Sequence, residues 1–321
     1  MIKYTDDILV LGGGSIGERH IGILWELGYR NIHLYRQRNL PFRTLDPARV
    51  QVFTDFERVA DIAPKVAIIC TPTALHVSQT LACVERGMHV LVEKPLSHTS
   101  EGIQELRQAA LKQQVLVQVA YMLRYHPLLQ RVKHIIEDGT WGKLLSMQSY
   151  WGEYLPDWHP WEDYRTSYAA RKELGGGAAL TLSHDLDLLN WLAGCALDSW
   201  QTVKNYRSSL EVDVEAGADI LLSYQSGTTA HCHLNFYERI PRRYYRFVLE
   251  EGTLELDYYA ATLRLLRPTS SDVERIEGFD RNQLFVAQTR HFFDTLQNGN
   301  LTSHTQEQLD ESETILKICN Q

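Results

Sequence analysis

Cysteine is scarce and unpatterned in this chain: Cys70, Cys83, Cys195, Cys232 and Cys319 form an odd set without C-x-x-C spacing. That excludes the framework of a small disulfide-stapled domain and the usual thiolate zinc site, and the thiols read as reduced and mostly structural. An excess of cations is also lacking. Lys and Arg number 32 against 40 Asp and Glu, a net charge of −8, which argues against a nucleic-acid or anionic-membrane surface. There is no run of about 18 apolar residues to span a bilayer, and Met1 to Asp7 lack the apolar core of a secretory leader. The chain is therefore expected in the cytoplasm, with no membrane and no nucleic-acid partner. Low-complexity runs, proline-rich linkers and internal repeats are missing too. What remains is ordinary for folded protein, 44% hydrophobic and 22% charged. At 321 residues and roughly 100–200 residues per domain, two domains are expected.

The first unit announces itself. An apolar run, Ile8-Leu9-Val10-Leu11, leads directly into Gly12-Gly13-Gly14-Ser15-Ile16-Gly17. After a strand and before a helix, such glycines have separate tasks: Gly12 permits the tight turn, Gly14 lets backbone approach a pyrophosphate, and Gly17 lets helix pack on sheet. Ser15 to Leu27 carries Ile16, Ile23, Leu24 and Leu27 near the helical period, with Gly28 as its stop, so the N–H groups beginning at Ser15 and Ile16 face the bound anion. The next strand, Asn31 to Tyr35, ends where an acid would hold the adenosine ribose, but the residue there is Arg36. Arg36 with Arg38, joined by Arg43, suits a 2′-phosphate and favours NADP; read as a solvated loop, the same arginines leave NAD open.

Further strands follow at Gln51–Phe53, Val66–Cys70, His89–Val92 and Val115–Val119, with helical segments around Ala74 to Arg86 and Ser100 to Lys112. This alternation predicts a doubly wound parallel sheet, a Rossmann domain over residues 1–120. Residues 121–321 change character. After a helix from Pro127 to Glu137, seven strand-like segments between Leu144 and Leu266 are separated by turns such as Gln225-Ser226-Gly227. They predict an α+β domain with an open, mostly antiparallel sheet, closed by helices over Asn282–Leu296 and Thr305–Ile318.

Thr71-Pro72-Thr73 with His76, then Glu93-Lys94-Pro95, then Gly175-Gly176-Gly177 leading to Ser183-His184-Asp185-Leu186-Asp187, together with the glycine fingerprint, resemble the glucose-fructose oxidoreductase, inositol dehydrogenase and rhizopine catabolism (Gfo/Idh/MocA) family. The resemblance runs in order along the whole chain. It implies the two-domain architecture above and the use of NAD or NADP on sugars, cyclitols and their derivatives. It also implies cofactor contacts from Thr71, Pro72, His76, Glu93 and Lys94, catalytic roles for Lys94 and His184, and a cis peptide before Pro95. Lys94 would bond the reacting oxygen and stabilise alkoxide as hydride departs, and a histidine at 184 suits proton exchange near neutral pH. One departure stands out. Family members carry an aspartate shortly before the histidine, where this chain has Leu180 and Thr181, so Asp185 or Asp187 is expected to compensate, or Lys94 to take more of the proton chemistry.

For substrate, the resemblance points to Arg124, and Tyr164, Arg165, Tyr168, Arg171 and Lys172 precede the triple glycine. With Thr181, His184 and Asp187, they form the expected substrate set. Their cations suggest an acidic or activated sugar of surface-polysaccharide biosynthesis, unless they form a solvated loop. Trp151, Trp158 and Trp161 serve sugar stacking or domain packing. His231 and His233 share a strand face without a third ligand, so no metal is expected. An uncovered apolar sheet face predicts a homodimer or homotetramer through the C-terminal sheet. The function expected is hydride transfer on a sugar; the alternative is a dinucleotide-binding regulator of the same fold that turns nothing over.

Overall fold

The computed structural model describes residues 2–37 and 41–321. It divides into two compact units, Met1–Ala120 with Phe285–Glu313, and Tyr121–Leu284 with Thr314–Gln321.

In the first unit, β1 (Ile8–Leu11), β2 (Ile32–Tyr35), β3 (Gln51–Phe53), β4 (Val66–Ile69), β5 (His89–Val92) and β6 (Val117–Val119) form a parallel sheet in the order β3-β2-β1-β4-β5-β6. Helices Ser15–Glu26, His76–Glu85 and Ile103–Gln113 alternate with them. Every residue of β1 and β4 is buried, the physical reason these strands read as unbroken apolar runs rather than alternating ones. Because β1 pairs with both β2 and β4, strand order reverses there. Gly12 and Thr71 follow the carboxyl ends of these strands, the place where such sheets bind ligands.

The chain's end departs from the sequence reading, which assigned both closing helices to the second domain. Helix Asn282–Asn298 delivers Phe292 and Phe293 into the core of the first unit among Ile8, Val10, Leu24 and Leu34, with Phe293 stacked 4.5 Å from Tyr29. Helix Leu301–Asn320 then supplies polar groups to the edge strand β6. Thr305 Oγ1 accepts from the Val117 N–H at 3.0 Å and donates to the Val115 carbonyl at 3.1 Å, and Gln308 Oε1 accepts from Val119 N–H at 3.0 Å. These side chains occupy hydrogen-bonding groups that an exposed edge would offer to another chain.

The second unit opens with helix Pro127–Asp138, begun by proline and ended at Gly139 with φ +67°. Its sheet comprises β7 (Leu144–Tyr154), β8 (Leu197–Asn205), β9 (Gly217–Tyr224), β10 (Thr229–Asn235), β11 (Tyr237–Leu249), β12 (Gly252–Asp257), β13 (Thr262–Arg267) and β14 (Ser270–Arg275). The order is β14-β13-β12-β11-β7-β10-β9-β8, antiparallel except where β10 runs parallel to β7. Ala230, Cys232 and Leu234 of β10 point into the core while His231 and His233 do not, the alternation of a sheet covered on one face. Helix His184–Ala193 packs on that face against β7 and β10. The strand β14 was not legible because its residues are almost all exposed. The arginine-rich start of β11 escaped for the same reason.

Phe292 is fully buried, so Phe292→Ala should destabilise the chain by about 3–5 kcal/mol. Urea unfolding measures this; a loss typical of a surface site would contradict the assignment of this helix to the first unit's core.

Candidate functional site

The turn after β1 has little freedom. Gly12 has φ +98°, and a Cβ on it would sit 2.6 Å from the Cys70 carbonyl oxygen; one on Gly17 would sit 2.0 Å from the Gly12 oxygen. Backbone meets backbone at both places, so neither tolerates a side chain. A Cβ on Gly14, by contrast, meets nothing within 4 Å. The helix Ser15–Glu26 starts there without any side-chain cap. An open approach to an uncapped helix start, flanked by glycines, fits a dinucleotide pyrophosphate.

Arg36 lies at the end of β2, its Cδ 3.2 Å from the Cβ position of Gly13 and its guanidinium 4.5 Å from the Phe42 ring centroid. Arg38 lies outside the described residues. Beyond them, one carboxylate that sequence reasoning missed organises the loop. Glu18 accepts from the backbone N–H groups of Arg43, Thr44 and Leu45 at 2.9, 2.8 and 3.1 Å, and from Thr44 Oγ1 at 2.9 Å. Burial acts to raise its pKa, but these bonds outweigh burial and hold it below the ordinary value.

At the ends of β4 and β5, Thr71 donates its hydroxyl to Gln79 at 2.6 Å, and a cis peptide joins Lys94 to Pro95. His76, 1% exposed, has Nδ1 and Nε2 each 2.8 Å from a backbone oxygen, of Pro95 and Thr71 respectively. It therefore ties loops together, and a direct cofactor contact, as the sequence suggested, is not what its ring nitrogens are aimed at. Glu93 is buried beside it. His20 Nε2 lies 2.9 Å from Glu93 Oε1, and the Lys94 N–H reaches Glu93 Oε2 at 3.3 Å. Burial pushes the Glu93 pKa up, yet the His20 hydrogen bond and neighbouring positive charges bring it below normal, favouring the carboxylate.

In the second unit, the triple glycine is a steric device. Gly175 and Gly177 have φ +82° and +109°, and a Cβ on Gly176 would meet the Tyr168 and Ala169 oxygens at 2.5 Å. Under Gly177 sits the Glu215 carboxylate, which accepts from Ala179 N–H at 3.1 Å. This seats the short helix Ala178–Thr181, where Thr181 is buried, and leads the chain into the helix His184–Ala193. The His184 ring meets Tyr121 edge-on at 5.8 Å and Trp151 at 6.3 Å. Trp151 also lies 3.7 Å from the Arg243 guanidinium, which forms a buried ion pair with Asp185; Ser149 donates to the same carboxylate.

Asp187 is held by Arg124 in a two-pronged pair, Nε–Oδ2 3.0 Å and Nη2–Oδ1 2.6 Å. Both carboxylates that follow His184 thus have an arginine partner. Each of these buried acids is thereby offset by positive charge. Arg124, expected to meet substrate, spends its fork on Asp187.

Two further arginines of this set are paired with acids as well. Arg165 pairs with Asp163 at 2.8 Å and Glu211 at 3.4 Å, and Arg171 with Glu173 at 3.0 Å and Asp213 at 3.4 Å. The Tyr164 hydroxyl accepts from Glu211 N–H at 3.1 Å, and Lys172 N–H donates to Asp213. The sequence counted these bases but not the acids folded against them. Trp158 packs edge-on against Phe236, whereas Trp161 is exposed. His231 and His233 both bond one oxygen of Asp219.

Two family models match: residues 7–121 fit the oxidoreductase family with NAD-binding Rossmann fold, and residues 129–255 fit the GFO/IDH/MocA C-terminal domain. The chain belongs to the Gfo/Idh/MocA family. It is 29% identical over 170 residues to levoglucosan dehydrogenase of Pseudarthrobacter phenanthrenivorans, covering 50% of this chain and 41% of that protein. To the NADP(+) scyllo-inositol 2-dehydrogenase of Bacillus subtilis it is 31% identical over 108 residues, 33% of this chain and 30% of the relative. The chain spans less than half the length of these two relatives. In fold, it resembles the crystal structure of GenD2 from gentamicin A biosynthesis in complex with NAD, with TM-score 0.80 and 21% identity, covering 100% of this chain and 93% of that one. Membership of Gfo/Idh/MocA accords with the Rossmann sheet and open second sheet.

Burial raises the Glu215 pKa, and the hydrogen bond from Ala179 only partly offsets it. The native state then holds this proton to higher pH than the unfolded chain, so stability falls as pH rises from the ordinary carboxylate range through the raised value. Glu215→Gln should flatten that decline in urea midpoints measured against pH; an unchanged slope would assign it to other groups.

Proposed function

We propose that this Gfo/Idh/MocA member is an NAD(P)-dependent oxidoreductase acting at a hydroxyl or carbonyl carbon of a neutral sugar or cyclitol. The observation that carries this reading is the shared sheet edge of the first unit. Gly12, Thr71 and Lys94 follow the ends of the neighbouring strands β1, β4 and β5, so a cradle for a dinucleotide and a cation for its partner substrate share one edge of the sheet. Gly12, Gly14, Gly17 and the helix start at Ser15 and Ile16 would hold the pyrophosphate, with Thr71 and Pro72 lining the neighbouring strand end. Arg36 would meet a 2′-phosphate, which favours NADP. When bound, the nicotinamide supplies the site that accepts or returns a hydride.

The chain's own residues handle oxygen and proton. Lys94 donates to the reacting oxygen, stabilising it more strongly as alkoxide than as alcohol, and that difference is what lowers the barrier. His184 takes the proton in oxidation and returns it in reduction. A neutral substrate is favoured over an acidic one because Arg124, Arg165 and Arg171 already have carboxylate partners. The named activities of the two relatives, on levoglucosan and scyllo-inositol, point the same way. Self-association through the second sheet, with Leu221 and Tyr244 among its exposed apolar groups, and a cytoplasmic location complete the reading.

The test is turnover of levoglucosan and scyllo-inositol with NAD+ and NADP+. Lys94→Ala should retain dinucleotide affinity in a tryptophan-fluorescence titration while turnover falls by about 10²–10³-fold; unchanged turnover would remove Lys94 from the chemistry. Dinucleotide binding without turnover of any polyol would favour the non-catalytic regulator. In the same titration NADPH should bind more tightly than NADH, and Arg36→Asp should reverse the order. Tighter binding of NADH by the unaltered chain would overturn the role given to Arg36.

A further inference from the structure

Lys94 owes its position to groups outside the Glu-Lys-Pro segment. The peptide on its amino side is held by Glu93, whose Oε2 accepts the Lys94 N–H at 3.3 Å while Oε1 meets His20 Nε2 at 2.9 Å. The His20 side chain is fully buried and that of Glu93 is 10% exposed. One peptide further on, the Pro95 carbonyl is met by His76, whose Nδ1 and Nε2 lie 2.8 Å from the oxygens of Pro95 and Thr71. His20 projects from the helix Ser15–Glu26, the same helix whose start forms the dinucleotide cradle, and His76 from the helix His76–Glu85. A buried carboxylate is tolerated only when paired and hydrogen-bonded, so the His20–Glu93 contact cannot be lost without the strand end rearranging.

We propose that His20, Glu93 and His76 form a clamp on the Lys94–Pro95 dipeptide and act as positioning residues for the Lys94 ammonium. His20 joins the clamp to the helix that receives the cofactor. This rests on the reading of Lys94 as a catalytic residue. The clamp acts by denying Lys94 freedom. Small displacements of a polarising group weaken the bond it makes to a developing alkoxide, and misplacement on the order of 1 Å costs about 10²-fold in rate.

The decisive comparison is His20→Ala against His20→Gln, since glutamine retains a side-chain N–H to offer Glu93. In His20→Ala, kcat with levoglucosan or scyllo-inositol should fall by about 10- to 100-fold with dinucleotide affinity unchanged in the fluorescence titration. Hydrogen exchange of the Lys94 amide in the free chain should accelerate. His20→Gln should recover most of the loss in both measurements. Unchanged kcat and exchange in His20→Ala would overturn the clamp, as would equal losses of kcat, dinucleotide affinity and thermal stability that glutamine does not rescue. Lys94→Ala run alongside separates the two readings: activity lost there but intact in His20→Ala sinks the clamp alone, whereas activity retained in Lys94→Ala sinks both.

Discussion

The contact on which the first unit depends is backbone against backbone: the helix Ser15–Glu26 lies so close to the strand ends that Gly17 and Gly12 have no room for a Cβ. Once that approach is made, the helix has one rotation and one depth. Its start faces the open space beside Gly14, Glu18 reaches the backbone of Arg43, Thr44 and Leu45, and His20 reaches Glu93. A pyrophosphate cradle, the loop after β2 and the strand end bearing Lys94 are thus set by a single packing event. Close-packed interiors transmit such placements because side chains have few alternative rotamers there.

The second unit solves a different problem, the burial of charge. Asp185 and Arg243 are almost wholly removed from water, which is tolerable only because each neutralises the other and Ser149 and Tyr245 add hydrogen bonds. Asp187 and Arg124 repeat the device two residues further along the same helix. The result around His184 is a wall of aromatic rings and internally matched charge, in which the carboxylates are committed to arginines.

Much of this was legible beforehand where local rules and burial agree. β1 and β4 read as buried strands because both faces are covered, and Gly12, Gly14 and Gly17 because their spacing answers a steric need. β14 was missed because an exposed, largely polar strand carries no hydrophobic period. Glu18 was missed because an acid in the first turn of a helix looks like an ordinary surface residue until the loop that donates to it is in place. The apparent basic cluster at Arg165 and Arg171 misled for the converse reason: acids such as Glu211 and Asp213, distant in sequence, come to lie against it.

The sequence alone determined the order of elements, the glycine turn, the Glu-Lys-Pro strand end and the triple-glycine entry to His184, all features written in contiguous residues and governed by local sterics. Tertiary structure decided the rest. It gave Phe292 and Thr305 to the first unit, aimed His76 at two carbonyls, joined His20 to Glu93, and matched Asp185 and Asp187 with arginines. Those pairings connect residues far apart along the chain. Partner choice there is set by which buried polar groups would otherwise go unpaired, a condition that exists only after the chain has folded.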